Sequence, residues 1–318
     1  MQQQLVVTIA LLAFSSITRA TPQPEPVRLL VNNWASQKVV TSITGELLKK
    51  KGYQVEYVSA SIQTQWYLLE QGRADIQMEV WQGTMEADYH AFIGKRAIVD
   101  AGTHRAVTRE EWWYPDYVQD YCPGLPDWRV LNNCLHFFRS NESGRGVFYT
   151  GPWERHDHIR IKALGLEYQV IEFKTDRELW DKMKTAVSAR DPILIFNWTP
   201  NWTNKEFKGD FIEFPTYEEK CESDPTWGLN QDWTWDCGNP RKGWLKKVIS
   251  TRLATKDPCV KKLIERIDFD NSTLTELSWQ REIRNYPTKW VAHEWLENNE
   301  HVWNTWLETD CSAPIPNS

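Results

Sequence analysis

The sequence predicts an α/β protein made of two lobes with a cleft between them. An alternation of short apolar runs with helical patterns occurs twice along the chain. Two irregular stretches, at 115–126 and 215–243, separate or follow these halves. Alternating strands and helices are typical of a parallel sheet covered by helices. The 318 residues are enough for about two domains of ordinary size.

The first half begins with the apolar run VRLLV at 27–31, which predicts a buried strand. A helix is expected to follow through Lys51, because Ile43, Leu47 and Leu48 have helical spacing. Gly52 ends this helix. The remaining elements of this half are expected to be a strand at 54–58, a helix at 62–71 and a strand at 76–80.

The second half repeats the pattern with strands at 148–149, 168–173 and 193–196. A helix is expected at 153–164, and a second helix begins at Thr175, where Thr175 and Glu178 form a capping box. Beyond the second irregular stretch, 245–250 predicts a strand and the rest is mostly helical. Near the C-terminus, the spacing of four apolar residues predicts one buried helix face: Val291, Trp295, Val302 and Trp306.

Composition excludes several classes of partner. The 37 basic and 43 acidic side chains give a net charge of −6, without a Lys/Arg-rich run, so neither nucleic acid nor an anionic membrane is expected as a partner. The chain lacks a phosphate-binding loop and a serine-hydrolase motif. No metal is expected, because His156 and His158 are two residues apart and would face different directions on a helix. No cofactor and no enzymatic activity are expected either.

The N-terminal segment predicts export. Residues 5–14 are almost wholly apolar, but the run is shorter than the roughly 20 residues that span a bilayer. The small residues Thr18 and Ala20 suit cleavage after Ala20, so 1–20 is interpreted as a signal peptide. The protein is thus expected to be secreted.

The six cysteines support an oxidising compartment, where disulfides persist. Spacing alone permits many pairings. Short loops favour two disulfides and leave a third, in the order Cys122–Cys134, Cys221–Cys237 and Cys259–Cys311.

Four of the 19 tryptophans stand where strands or strand loops end: Trp34, Trp81, Trp153 and Trp198. In an α/β protein such positions converge on the ligand cleft. A quaternary ammonium group presents methyl groups with a diffuse positive charge, and aromatic faces are its natural partners. The sequence therefore predicts a box of these four rings, called here the aromatic box, around such a cation.

Six segments in this order carry a resemblance to a known family: VNNWASQ (31–37), KGYQVEY (51–57), GRADIQMEVWQG (72–83), EEWWYPDYV (110–118), FYTGPW (148–153) and IFNWTPNW (195–202). Together they closely resemble the glycine betaine, or quaternary ammonium, substrate-binding proteins of ABC transporters. The resemblance implies a type II periplasmic-binding-protein fold with two crossover segments. On this fold, 27–115 with 216–318 would form lobe 1 and 116–215 lobe 2.

The resemblance also implies roles for single residues. Trp81, Trp153 and Trp198 match the family's cage tryptophans, and Trp34 matches a fourth wall found in some branches. Trp113, or its neighbour Trp112, is an alternative closing ring. Residues Glu154 and Arg155 stand where relatives offer backbone N–H groups to the ligand carboxylate. Glycine betaine is the leading ligand, followed by choline, carnitine and trimethylamine N-oxide.

Partners and alternatives follow from the same resemblance. A bacterial protein would be periplasmic and deliver its ligand to an ABC permease, whereas a eukaryotic one would be extracellular and could scavenge betaine or choline without a permease. The protein is expected to act as a monomer. One alternative is a carbohydrate-binding protein, because indoles also stack on sugars. Another is an enzyme acting on sugars, for which Glu110-Glu111 and Glu218-Glu219 are candidate carboxylate pairs, although all four are expected to be exposed charges.

Overall fold

The computed structural model describes residues 25–139, 143–153 and 155–308. The expected signal peptide therefore lies outside the described residues, as do Glu154 and Cys311. In chain order the strands are β1 (Val27–Val31), β2 (Val55–Ser59), β3 (Ile76–Trp81), β4 (Ile98–Pro115), β5 (Gly146–Thr150), β6 (Tyr168–Glu172), β7 (Leu194–Thr199), β8 (Gly209–Phe211) and β9 (Gly243–Ser250).

The α-helices interleave with these strands. In chain order they are α1 (Ala35–Lys50), α2 (Gln65–Glu70), α3 (Gln82–Gly94), α4 (Val118–Tyr121), α5 (Asp157–Ala163), α6 (Asp176–Ala189), α7 (Thr203–Glu206), α8 (Lys220–Ser223), α9 (Thr251–Lys256), α10 (Pro258–Arg266), α11 (Asn271–Glu282), α12 (Thr288–Asn298) and α13 (Glu300–Leu307). Across the described residues, no helix is both long enough and apolar enough to cross a membrane.

The strands form one path in the order β2-β1-β3-β9-β4-β7-β5-β6, with β8 paired to β4. The pairs β1–β2 and β1–β3 are parallel, and so are β5–β6 and β5–β7. Each half of the sheet thus contains the predicted parallel unit. The α/β prediction is confirmed. The first half-sheet consists of β1, β2, β3, β9 and the first part of β4, and the second half-sheet consists of the rest of β4 with β5, β6, β7 and β8.

Strand β4 belongs to both half-sheets. Its part up to Thr108 pairs with β9 in the first half-sheet, and from Arg109 onward it pairs with β7 and then β8 in the second. Sequence reasoning did not predict this 18-residue strand or helix α3. Charged residues recur through β4, and its apolar positions are too scattered to form a recognisable run. The proposed lobe boundaries at 115/116 and 215/216 stay a prediction.

Helix α5 begins later than the sequence predicts. The expected helix at 153–164 is observed only at Asp157–Ala163, and Trp153 lies in the loop before it. Gly151-Pro152 precedes Trp153, and His156 is the residue immediately before α5. By contrast, the capping box of Thr175 and Glu178 is present at the start of α6, as predicted.

Two predicted disulfides are confirmed, Cys122–Cys134 and Cys221–Cys237. Cys259 is also disulfide-bonded. Its expected partner Cys311 lies outside the described residues.

The C-terminal tryptophans pack in the core, although on two short helices rather than one. Trp295 of α12 stacks on Trp306 of α13 with ring centroids 5.7 Å apart, and both rings contact Phe269. Val291 and Trp306 are buried. Phe269 lies in the loop after α10 and also contacts His104 of β4, so these rings pack the last two helices against the first half-sheet.

Candidate functional site

A pocket of about 280 Å³ lies where loops and strand ends of the two half-sheets meet. It is called here the aromatic pocket. Its lining residues are Trp34, Trp81, Thr84, Met85, Glu110, Trp153, Phe196 and Trp198. The structure therefore brings the four tryptophans of the predicted aromatic box to one pocket, two from each half-sheet.

Trp34 and Trp81 stand at equivalent places in the first half-sheet. Trp34 is the residue before α1, just after β1, and Trp81 ends β3 immediately before α3. Both are almost fully buried. Because β1 and β3 are parallel neighbours, their carboxyl ends carry these two rings to the same edge of the sheet.

One carboxylate, that of Glu79, holds both rings. Its Oε2 accepts hydrogen bonds from Trp34 Nε1 at 2.6 Å and from Trp81 Nε1 at 3.1 Å. The Ser36 hydroxyl donates to the same oxygen at 3.0 Å. Glu79 is fully buried, and this burial raises its pKa to about 7 although the three hydrogen bonds act in the opposite direction.

Trp198 forms the centre of the wall from the second half-sheet. It lies near the end of β7, with its ring centroid 5.2 Å from that of Trp153 at an interplanar angle of 82°. Its centroid is 6.4 Å from that of Trp81, at 72°. Both pairs are edge-to-face, an arrangement that aromatic rings favour. The two half-sheets thus meet through indole contacts at the pocket.

The loop after β5 brings Trp153 to the pocket. Gly151 is required there, because a Cβ at this position would lie 2.2 Å from the Trp153 ring. The Trp153 indole N–H donates to Asn33 Oδ1 at 3.3 Å. This bond joins the loop of the second half-sheet to the loop before α1 in the first.

Glu110 adds a carboxyl group to the otherwise aromatic pocket. It lies on β4, and its Oε1 accepts a hydrogen bond from the Thr84 hydroxyl at 2.8 Å. Its Oε2 is buried and has no hydrogen-bond partner among the described residues. Burial raises the pKa of Glu110 to about 7, and the charge of Glu111 adds to this effect. The Thr84 bond, the positive charge of Arg155 and the nearby backbone N–H of Gly83 act in the opposite direction. The expectation that Glu110 and Glu111 are exposed is wrong, because β4 is buried on both faces at this point.

Arg155 does not line the aromatic pocket. Its buried guanidinium forms an ion pair with Asp157 at 2.8 Å and lies 3.9 Å from the centroid of the Phe196 ring. Because α5 starts only at Asp157, Arg155 is not at the helix N-terminus that the sequence predicts. Its companion in that prediction, Glu154, lies outside the described residues.

The alternative closing rings are placed elsewhere. Trp113 packs against Gly209, where an added Cβ would overlap the indole. Trp112 stacks on Phe148 at 4.0 Å between centroids and donates its N–H to Asp157 at 2.8 Å. Neither residue is part of the pocket lining, because both serve the packing of β4 against its neighbours.

Sequence reasoning missed Glu79, Thr84, Phe196 and the pocket position of Glu110. The position of Glu79 could have identified it from the sequence. It is a charged residue inside the buried strand Ile76–Trp81, two residues before a tryptophan of the aromatic box. A charge in such a strand needs partners, and indole N–H groups are among the few donors nearby. Glu110 carried no comparable signal, since β4 itself was not predicted.

The chain is similar to known proteins over most of its length. Residues 25–298 match the family model described as the substrate binding domain of ABC-type glycine betaine transport systems. The trimethylamine N-oxide-binding protein of Pelagibacter ubique (strain HTCC1062) is 29% identical over 305 residues, which cover 93% of this chain and 95% of that protein.

Solved structures show the same fold at lower identity. An ABC-transporter choline-binding protein in complex with choline has a TM-score of 0.70 and 17% identity, covering 89% of this chain and 91% of the other. Lactococcal OpuAC, closed on glycine betaine, has a TM-score of 0.68 and 14% identity, with coverage of 90% and 100%. The fold is therefore that of the type II periplasmic binding proteins.

Proposed function

Because this chain belongs to the family of substrate binding domains of ABC-type glycine betaine transport systems, we propose that its aromatic pocket captures a small trimethylammonium compound. The family consists of solute-binding proteins and not of enzymes. The observation that carries the proposal is the convergence of Trp34, Trp81, Trp153 and Trp198 on one pocket. The ligand leaves this pocket unchanged and passes to an ABC permease.

Cation–π attraction explains why four indoles suit this ligand. A trimethylammonium group cannot donate strong hydrogen bonds, and each aromatic face it touches contributes about 0.5–2 kcal/mol. The four tryptophans are each less than a tenth exposed, so little water competes with the ligand for contact with the rings.

The carboxyl group of Glu110 makes the expected affinity depend on the polar group at the other end of the ligand. Its unsatisfied Oε2 is a costly buried group that a ligand could satisfy. A protonated Glu110 donates a hydrogen bond to the oxygen of trimethylamine N-oxide, and an ionised Glu110 accepts one from the hydroxyl of choline. A protonated Glu110 donates to a ligand carboxylate as well, but an ionised Glu110 repels the full negative charge of that group. Because the pKa of Glu110 is raised only to about 7, this repulsion acts at neutral pH and disfavours the carboxylate ligands.

We therefore place trimethylamine N-oxide first and choline second, ahead of glycine betaine and carnitine. The relative from Pelagibacter, whose name gives trimethylamine N-oxide as its ligand, supports this order. The order differs from the one that the sequence suggests, because the position of Glu110 enters only with the tertiary structure.

A sugar is not favoured as a ligand. A carbohydrate site needs several hydrogen-bonding side chains around its aromatic platforms. The polar residues in the pocket lining are Thr84 and Glu110, and one oxygen of Glu110 is already used by Thr84.

We further propose that the protein works outside the cytoplasm. The apolar run at 5–14 and the disulfides Cys122–Cys134 and Cys221–Cys237 support export. N-terminal sequencing of protein recovered after export from an expressing cell should begin at Thr21. An N-terminus at Met1 on exported protein would contradict cleavage after Ala20.

Titration of the purified protein tests the proposed ligand. Calorimetry and intrinsic tryptophan fluorescence are measured with trimethylamine N-oxide, choline, glycine betaine, carnitine and maltose. We expect saturable binding of the methylated amines in the order given above and no response to maltose. The absence of a heat or fluorescence change with every amine at millimolar concentration would contradict the proposal, and so would saturable binding of maltose.

A further inference from the structure

We propose that Glu79 is a positioning residue of the aromatic pocket with two separable effects. Its carboxylate fixes the orientation of Trp34 and Trp81, and it places negative charge behind both rings, which favours a cation over a neutral ligand of the same shape. This inference rests on the proposed function of the pocket.

The geometry places two box rings on one atom. Glu79 Oε2 is 2.6 Å from Trp34 Nε1 and 3.1 Å from Trp81 Nε1. The two indoles come from different elements, the start of α1 and the end of β3. A single carboxylate therefore sets the angle of both rings, because an indole has only one N–H and its ring plane must contain that bond.

Among the described residues, no hydrogen-bond partner of the Glu79 carboxylate carries a positive charge. The groups that bind its carboxylate are two indoles and the Ser36 hydroxyl, which are all neutral. Its own backbone N–H donates to Gln77 Oε1 at 3.0 Å. Glu79 Oε1 has no hydrogen-bond partner within the described ranges. The side chain is fully buried, so solvent does not screen it.

The charge acts on the ligand through the rings. A hydrogen bond to a carboxylate polarises the indole and increases the electron density on its π-face. A cation on that face is then attracted by the ring and, more weakly, by the carboxylate behind it. A neutral ligand of equal shape gains only the contact with the ring. Glu79 is thus suited to make the pocket selective for charge.

Two substitutions separate the effects. Glu79→Gln keeps an acceptor of nearly the same shape and removes the charge, whereas Glu79→Asp keeps the charge and withdraws the acceptor by one methylene group. The probes are choline and 3,3-dimethyl-1-butanol, in which carbon replaces the quaternary nitrogen. At pH 8, where the wild-type Glu79 is ionised, we expect Glu79→Gln to weaken choline about tenfold and the alcohol less than threefold. We expect Glu79→Asp to weaken both by similar factors.

A matched control is Glu297→Gln on α12, which makes the same change at a carboxyl that is 60% exposed and pairs with His293 of its own helix. Choline affinity should be unchanged in this variant. Equal losses of choline and the alcohol in Glu79→Gln would overturn the charge effect. Unchanged affinities in Glu79→Asp would overturn the positioning effect. If the wild-type protein binds none of the methylated amines, the proposed function fails first and this inference with it.

A measurement without ligand covers the case in which the Glu79 variants do not fold. Indole N–H resonances of Trp34 and Trp81 are assigned by NMR with Trp34→Phe and Trp81→Phe, in a Glu110→Gln background that removes the second pocket carboxyl with a pKa near 7. Because both N–H groups bind one oxygen of Glu79, the two resonances should shift with a shared midpoint near pH 7. Resonances that shift at different midpoints would overturn the proposal, because two N–H groups on one carboxylate must report the same titration.

Discussion

Trp153 donates its indole N–H to Asn33 Oδ1 at 3.3 Å and so joins the two half-sheets beside the aromatic pocket. Trp153 lies in the loop after β5, and Asn33 lies in the loop between β1 and α1. On the proposed function, a ligand enclosed by rings from both half-sheets leaves only when these loops separate. The proposal therefore requires this hydrogen bond to break during release.

We predict that Asn33→Ala speeds ligand release. A neutral hydrogen bond contributes about 0.5–1.5 kcal/mol, which corresponds to a roughly 2- to 12-fold faster dissociation when the bond is intact in the bound state. The association rate should change little, because the bond forms after the ligand has entered. Stopped-flow tryptophan fluorescence measures both rates.

The control for Asn33→Ala is Asn298→Ala on helix α12, an exposed residue whose side chain bonds only within its own helix among the described contacts. It should leave both rates unchanged. An Asn33→Ala variant with an unaltered dissociation rate would show that the Trp153–Asn33 bond does not hold the two loops together.

Loss of one box ring should weaken binding without unfolding the protein. Trp81→Ala and Trp198→Ala each remove one aromatic face, and we expect each to raise the dissociation constant at least tenfold. Trp290→Ala, at a tryptophan that is 41% exposed on α12, is the control and should bind normally. Calorimetry gives the affinities, and circular dichroism checks the fold. Wild-type affinity in both box variants would refute the assignment.

Glu110 should make the ligand preference depend on pH. Burial raises its pKa to about 7, so it loses its proton as the pH rises from 6 to 8. Trimethylamine N-oxide needs the protonated donor, and its affinity should fall about tenfold over this range, whereas choline should bind more tightly. In Glu110→Gln the amide donates at every pH, and the decline for trimethylamine N-oxide should disappear.

Calorimetry at pH 6, 7 and 8 on wild type and Glu110→Gln checks this prediction. Comparing the two proteins isolates Glu110 from Glu79, because both carboxyl groups have a pKa raised to about 7. The role of Glu110 is refuted if the variant shows the same pH dependence as the wild type.

Glu79 should also link stability to pH. The folded protein holds its proton up to about pH 7, whereas the unfolded chain releases it near 4.5. Between these values the folded state binds more protons, so its stabilising contribution is complete below pH 4.5 and is lost as the pH rises through 7. From pH 5 to 8, the free energy of unfolding should fall more in wild type than in Glu79→Gln, by on the order of 2 kcal/mol.

Urea unfolding of both proteins at pH 5 and pH 8, without ligand, measures this difference. His104, whose pKa burial lowers to about 3, acts in the opposite direction at acid pH, but it does so equally in both proteins. An identical pH dependence in the two proteins would mean that Glu79 is not a buried carboxyl of raised pKa.

Local patterns explain which features could be predicted from the sequence. The strands and helices of both βαβ units produce apolar periods that depend on neighbouring residues alone, as at 27–31 and around Ile43, Leu47 and Leu48. Trp34 and Trp81 could be placed at the edge of the sheet because they follow such strands directly. The cysteine pairs Cys122–Cys134 and Cys221–Cys237 could be proposed because short loops bring their members together.

The sequence by itself thus determined the α/β class, the family resemblance and four of the rings around the pocket. Only the tertiary structure decided the polar part of the site. Glu110 comes to the pocket through β4, whose pairing partners Trp198 and Lys246 are distant in sequence. Asn33 and Trp153 are 120 positions apart. A glutamate in a printed sequence looks the same whether water or two indoles surround it, because its burial depends on long-range packing that no local period encodes.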